Sequence, residues 1–164
     1  MCKIAICPGS FDPITNGHLN VIERGLKIFN KLIVAVAINT TKQPIFTPQE
    51  RFSQLHEIFK GCDNVEVDSF DGLLVNYAKK RNVSAIIRGI RNMSDYEYES
   101  QMALANRTMD PNIEFIYMMT EGKYAHLSSS FIKEIISFGG SGCGMIHPVV
   151  EKELKKKLFA KKLT

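Results

Sequence analysis

Long apolar runs are missing from this 164-residue sequence: the longest, such as Leu32 to Ile38 and Phe115 to Met119, fall far short of the roughly 20 residues needed to cross a bilayer. No membrane span is expected. The start of the chain passes from Met1 through Lys3 into a short strand-like run, without the basic, apolar and small-residue regions of a secretory signal, so a cytoplasmic protein is expected. The four cysteines, Cys2, Cys7, Cys62 and Cys143, form no C-x-x-C pair and have no histidine at zinc-site spacing, which argues against a zinc site or a dithiol redox centre. Neither G-x-G-x-x-G nor G-x-x-x-x-G-K-[ST] occurs, and there is no G-x-S-x-G. Hydride transfer on a dinucleotide, P-loop NTPase chemistry and acyl transfer from a serine elbow therefore lack their signatures.

A surplus of one charge is also missing from most of the chain. The isoelectric point near 8.9 invites a nucleic-acid partner, but six lysines and two glutamates fall in residues 151 to 164, and the remainder carries 15 basic and 15 acidic groups. Leu154 and Leu158 lie at helical spacing among those lysines, as on a helix with a solvated face, so no nucleic-acid partner is expected.

What is present is an alternation. Lys3 to Cys7 has the pattern of a short buried strand, and Leu19, Ile22, Leu26 and Phe29 follow at helical spacing. Leu32 to Ile38 is a second strand; Thr47-Pro48-Gln49-Glu50 then supplies a capping box with proline at the first helical position. Val65 to Val67 is a third strand, followed by a helix bearing Leu73, Leu74, Tyr77 and Ala78. Val83 to Ile87 is a fourth. Ser94-Asp95-Tyr96-Glu97 has the form of another capping box, opening a helix with Tyr98, Met102, Ala105 and Met109 on one face and ended by Asp110-Pro111. Ile113 to Met119 makes the fifth strand, and Phe131, Ile132, Ile135 and Ile136 mark a helix that Gly139-Gly140 stops. Gly139, Gly140, Gly142 and Gly144 crowd one stretch that follows a helix instead of a strand, the mark of a flexible connector. Five strands alternating with helices imply a doubly wound α/β fold, a Rossmann-like parallel sheet covered on both faces, in one domain spanning 1–164.

Open sheets of this kind bind ligands beyond the carboxyl ends of their strands, where strand order reverses. In an order of 3-2-1-4-5 the loop from Gly9 to His18, the Arg88-Gly89-Ile90-Arg91 stretch after strand 4 and the Lys123 to Ser130 segment after strand 5 are neighbours. Glycines that admit backbone amides, two arginines and serines at a helix start suit polyphosphate. His18 opens the first helix, whose dipole disfavours its protonation and leaves an imidazole able to donate to a phosphate oxygen; taken alone, it is equally a residue packed under the loop. Lys42, in the polar loop after strand 2, reaches the same crevice or stays solvated.

Gly9-Ser10-Phe11-Asp12-Pro13 with Thr15-Asn16-Gly17-His18, Ile87-Arg88-Gly89-Ile90-Arg91, and Ser128-Ser129-Ser130 with Lys133-Glu134 occur in that order, together with Asp95-Tyr96-Glu97-Tyr98-Glu99. The combination closely resembles the bacterial phosphopantetheine adenylyltransferase family; the T-x-G-H element alone marks only the wider nucleotidyltransferase superfamily. The resemblance implies Mg²⁺-dependent transfer of AMP from ATP to 4'-phosphopantetheine and a homohexamer. It implies catalytic roles for His18, as transition-state stabiliser, and for Lys42 and Arg91. ATP contacts are implied at Ser10, Phe11, His18, Gly89, Ile90, Arg91, Glu99, Tyr124, Ala125, His126, Leu127, Ser128, Ser129 and Ser130. The 4'-phosphopantetheine side is matched by Ser10, Lys42, Leu74 and Arg88, and no metal ligand is named among the residues. Ser10 stands where threonine is commoner, and Cys7 and His126 where aromatic residues are. A cytidylyltransferase acting on an alcohol phosphate and a non-catalytic adenine-nucleotide sensor are the competing readings.

Overall fold

The computed structural model describes residues 3–38 and 44–160. Its sheet has five parallel strands, β1 (Ile4–Gly9), β2 (Lys31–Ile38), β3 (Val65–Asp71), β4 (Ala85–Ile90) and β5 (Glu114–Met119), in the order β3-β2-β1-β4-β5. The helices among the described residues are α1 (Asn16–Gly25), α2 (Pro48–Ile58), α3 (Leu74–Lys80), α4 (Met93–Met109), α5 (Ser129–Ser137) and α6 (Pro148–Ala160), with a 3-10 turn at Gly122–Tyr124. None is long and apolar enough to cross a membrane among the described residues.

Successive strand residues feed opposite faces. Ala5 and Cys7, with Leu32, Val34 and Val36, join Val21, Ile22, Leu55, Ile132, Val150 and Leu154 in a core under α1, α2, α5 and α6. Ile6, Ile33 and Ala35 join Val75, Tyr77 and Ala78 of α3 on the other face. That period of two, with both sides apolar, is what a parallel sheet buried on both faces demands.

Several element starts follow the sequence and several do not. Thr47 caps α2 as expected, its hydroxyl accepting from Glu50 N while the Glu50 carboxylate accepts from Thr47 N at 2.7 Å. The Ser94 box does not form. The carboxamide of Asn92 accepts from Asp95 N at 2.9 Å, so α4 begins at Met93, and Asp95 turns to Arg91 instead. β4 runs on to Ile90, which puts Arg88, Gly89 and Ile90 on the strand and not in a loop after it. β3 likewise continues to Asp71, past the expected end at Val67, because every residue from Leu32 to Ile38 finds a partner on it. The stripe of Tyr98, Met102 and Met109 on α4 faces outward, and Asn106 is that helix's buried residue.

Candidate active site

The switch in strand order lies between β1 and β4, and a cavity of about 240 Å³ opens there, walled by the β1–α1 loop, the end of β4, the first turns of α4 and the start of α5. Ser10, Phe11 and His18 line it from the first loop. Arg88, Gly89 and Arg91 line it from β4 and the residue beyond, and Glu99 from α4. Leu127, Ser128 and Ser129 close the third side. Ile90 is buried and does not line the cavity, and Tyr124, Ala125, His126 and Ser130 stand outside the cavity wall, with His126 and Ser130 exposed. Leu74 is also off the wall, packed against the α3-side core. Lys42 lies outside the described residues.

His18 is held by its own helix. Thr15 caps α1, its hydroxyl accepting from His18 N at 3.3 Å, and the Thr15 amide donates to His18 Nδ1 at 3.0 Å. A ring nitrogen that accepts an amide hydrogen carries none itself, so the neutral imidazole bears its proton on Nε2. The Phe11 ring, edge-on at 5.4 Å between centroids, fixes the ring plane. Burial lowers the imidazole pKa to about 4, and the charges of Arg91 and Arg88 act in the same direction. The sequence expectation of a neutral imidazole holds, with burial and two arginines as the causes.

Both arginines are oriented by carboxylates of α4. Arg88 donates through Nε to Glu99 Oε2 at 2.6 Å, pairs through Nη2 with the other oxygen, and donates to the Pro8 carbonyl at 2.5 Å. Burial works against its charge, and Glu99 more than offsets that. Arg91 grips Asp95 through Nε at 2.8 Å and Nη2 at 2.9 Å, and donates to the Leu127 carbonyl at 2.8 Å, tying the second wall to the third. Among the described residues, further N–H groups stay uncommitted on each guanidinium, which suits a fork aimed at phosphate oxygens. Gly89 sits between them because a Cβ there would meet Val21 Cγ2 at 2.9 Å, blocking the close packing of α1 on β4.

The serines are partly spent on structure. Ser128 Oγ caps α5, accepting from Phe131 N at 3.0 Å, and Ser129 Oγ donates to the Pro13 carbonyl at 2.8 Å. Burial pushes the Cys7 thiol up to about 11, with Arg88 opposing, so it is no nucleophile at neutral pH.

Two bracing residues escaped the sequence reading. Arg51 of α2, 3 % exposed, donates to the Ser10 carbonyl at 2.6 Å. Asp12, 7 % exposed, accepts from Ile45 N at 3.1 Å, Phe46 N at 2.9 Å and Lys133 Nζ at 3.0 Å, joining the first loop to α5 and to the residues leading into α2. Asp12 lay inside a quoted motif and carried that signal; Arg51 had none, since its partner is far off in sequence. No group of three or more His, Cys, Asp or Glu able to hold a metal exists among the described residues.

The Cytidylyltransferase-like family matches residues 6–135. A phosphopantetheine adenylyltransferase of Caldanaerobacter subterraneus subsp. tengcongensis is 54% identical over 155 residues, covering 94% of this chain and 97% of that protein. Another, of Desulfosudis oleivorans, is 49% identical over 156 residues, covering 95% and 93%. The chain belongs to the phosphopantetheine adenylyltransferases. In this chain the cavity walls are built largely from those motifs, while Leu74, Ile90, Tyr124, Ala125, His126 and Ser130 do not line the cavity. The fold reaches wider still. A protein named as a nicotinate-nucleotide adenylyltransferase of Vibrio parahaemolyticus superposes with a TM-score of 0.61 at 20% identity, covering 94% of this chain and 99% of that one. A lipopolysaccharide core biosynthesis protein of Thermoplasma volcanium gives 0.56 at 18% identity, covering 73% and 98%.

Proposed function

We propose that the chain transfers the adenylyl group of ATP to 4'-phosphopantetheine, giving dephospho-coenzyme A and pyrophosphate. A phosphate oxygen of 4'-phosphopantetheine bonds to the α-phosphorus of ATP as the bond from that phosphorus to the bridging oxygen breaks, and pyrophosphate leaves with the electron pair. Catalysis of such a displacement is positioning and charge stabilisation, with no covalent intermediate on the protein. The observation that carries the reading is the His18 Nε2–H, neutral and fixed, beside two guanidinium groups that are themselves fixed by carboxylates.

In this reading His18 donates to an oxygen on the transferring phosphorus, and Arg91 and Lys42 neutralise charge as it moves. Ser10, Phe11, Gly89, Ile90, Glu99 and the 124–130 segment serve ATP, and Ser10, Lys42, Leu74 and Arg88 serve 4'-phosphopantetheine. For Glu99 the support is indirect, through Arg88; it is no general base. Mg²⁺ is part of the proposal as a companion of ATP. The donor set of the described residues does not form a cage for it, since Asp95 and Glu99 spend their oxygens on arginines, so its ligands would be phosphates and water. Mg²⁺ would lower the charge on the polyphosphate, and no residue role above depends on it. A homohexamer belongs to the same reading, supported by the apolar residues that α4 turns outward.

The test is to mix the protein with ATP, Mg²⁺ and 4'-phosphopantetheine and to follow dephospho-coenzyme A and pyrophosphate. No product with ATP, or equal use of CTP with an alcohol phosphate, would overturn the assignment.

A further inference from the structure

The glycine-rich segment between α5 and α6 has no role so far, and it lies beyond the residues 6–135 that the wider family matches. It is nevertheless bound to the helix that carries His18. The Met145 carbonyl accepts from the Asn16 amide at 2.8 Å, and the Gly144 carbonyl accepts from Asn16 Nδ2 at 2.9 Å. Asn16 is the first residue of α1, where an amide has no partner within its own helix. Its neighbour His18 uses its amide on the Thr15 hydroxyl. Among the described residues no partner takes the remaining first-turn amide, that of Gly17, a cavity-lining residue, which leaves it for an anion.

The segment is held in turn from the far side. Glu151 of α6 accepts from Gly142 N at 2.8 Å and from Ser141 Oγ at 3.3 Å, and pairs with Lys155 at 2.7 Å. A Cβ on Gly142 would meet Ile146 Cγ1 at 2.9 Å, and Ile146 is itself 3 % exposed. Gly144 takes φ +74, a left-handed conformation that points its carbonyl at Asn16 and that a side chain would strain. Anchored on Glu151 at one end and on Ile146 at the other, the backbone between them has little choice of path. The expected flexible connector is therefore a pinned one. His18 follows Asn16 by two residues and its ring is tied to Thr15, so any rotation of this turn carries Nε2 with it. A misplacement of about 1 Å at a reacting centre costs on the order of 100-fold in rate.

We propose that residues 141–146 are a strap through which Glu151 sets the first turn of α1, and that Asn16 is the positioning residue that receives it. The strap acts on turnover through His18, and so rests on the role given to His18 above.

Asn16→Ala, Glu151→Ala and Glu151→Gln in the full chain test this, by steady-state kinetics, thermal unfolding and nitrogen NMR of the His18 ring. Asn16→Ala and Glu151→Ala are expected to lower kcat about tenfold or more with KM for ATP within about twofold, and to shift the His18 ring signals. Glu151→Gln keeps an acceptor for the Gly142 amide and is expected to restore most of kcat. Unchanged kcat in both alanine variants overturns the strap, as does a kcat loss that Glu151→Gln does not restore. A change confined to KM overturns it too. His18→Ala run in parallel separates the failures. Full activity there removes the His18 reading and the strap together, whereas a crippled His18→Ala beside active strap variants removes the strap alone.

Discussion

A histidine that stays neutral can serve as a hydrogen-bond donor over the whole working range of pH, and His18 has that property by construction. Its pKa of about 4 lies below the ordinary 6.5, so between those values the unfolded chain binds a proton that the folded chain does not. Stability from this group therefore rises with pH through that window and is level above it. Urea midpoints at pH 4.5 and 7 should differ less in His18→Gln than in the native chain. The rate should show no acid limb from His18 between pH 5 and 8. Replacing the donor altogether, as in His18→Ala, should lower kcat by about 100- to 1000-fold, with ATP affinity by calorimetry little changed. An unchanged rate would return His18 to a packing role. Arg88→Ala should impair use of 4'-phosphopantetheine more than of ATP, although Glu99, assigned to ATP, holds one edge of that guanidinium through its Nε and Nη2. Equal losses for both substrates in kcat/KM would contradict the division of roles.

At the scale of the element, the start of α4 separates two caps only two residues apart. Asn92→Ala should cost about 1 kcal/mol of stability in urea unfolding, as loss of an N-cap does, and Ser94→Ala should cost little. The reverse ranking would restore the cap expected from the sequence. Both residues are good cap types, and the local pattern cannot choose between them; Arg91 chooses, by drawing Asp95 back toward the cavity. The Thr47 box was legible because proline and both capping partners lie within four residues. Strand order and the convergence of three motifs were legible for a similar reason, since each motif is contiguous and sheet topology brings strand ends together. The extent of β4 was not, because the polar Arg88 and small Gly89 break an apolar run while their backbones still pair with Tyr117 and Met118. Nor were Arg51 and Asp12 legible as braces, for their partners are brought to them by the fold.

At the scale of the whole molecule, α4 is built with its polar side inward. Asp95 and Glu99 reach the arginines, and Asn106 is buried with its Nδ2 on the Met102 carbonyl. The apolar residues are left outside: Met93 is 70 % exposed, Leu104 69 % and Tyr98 63 %. Apolar exposure of this extent on one helix marks an interaction surface, and a stable interface covers about 800 Å² on each partner. In the proposed homohexamer that surface would be covered by another copy. Leu104→Glu should then disperse the assembly in sedimentation velocity while leaving the thermal midpoint of the isolated fold nearly unchanged, since Leu104 contributes nothing to either core. Because α4 also orients Arg88 and Arg91, the dispersed chain should lose part of its kcat as well. A native chain that sediments as a monomer at micromolar concentration, or a Leu104→Glu variant that still assembles, would show that α4 does not carry the contact.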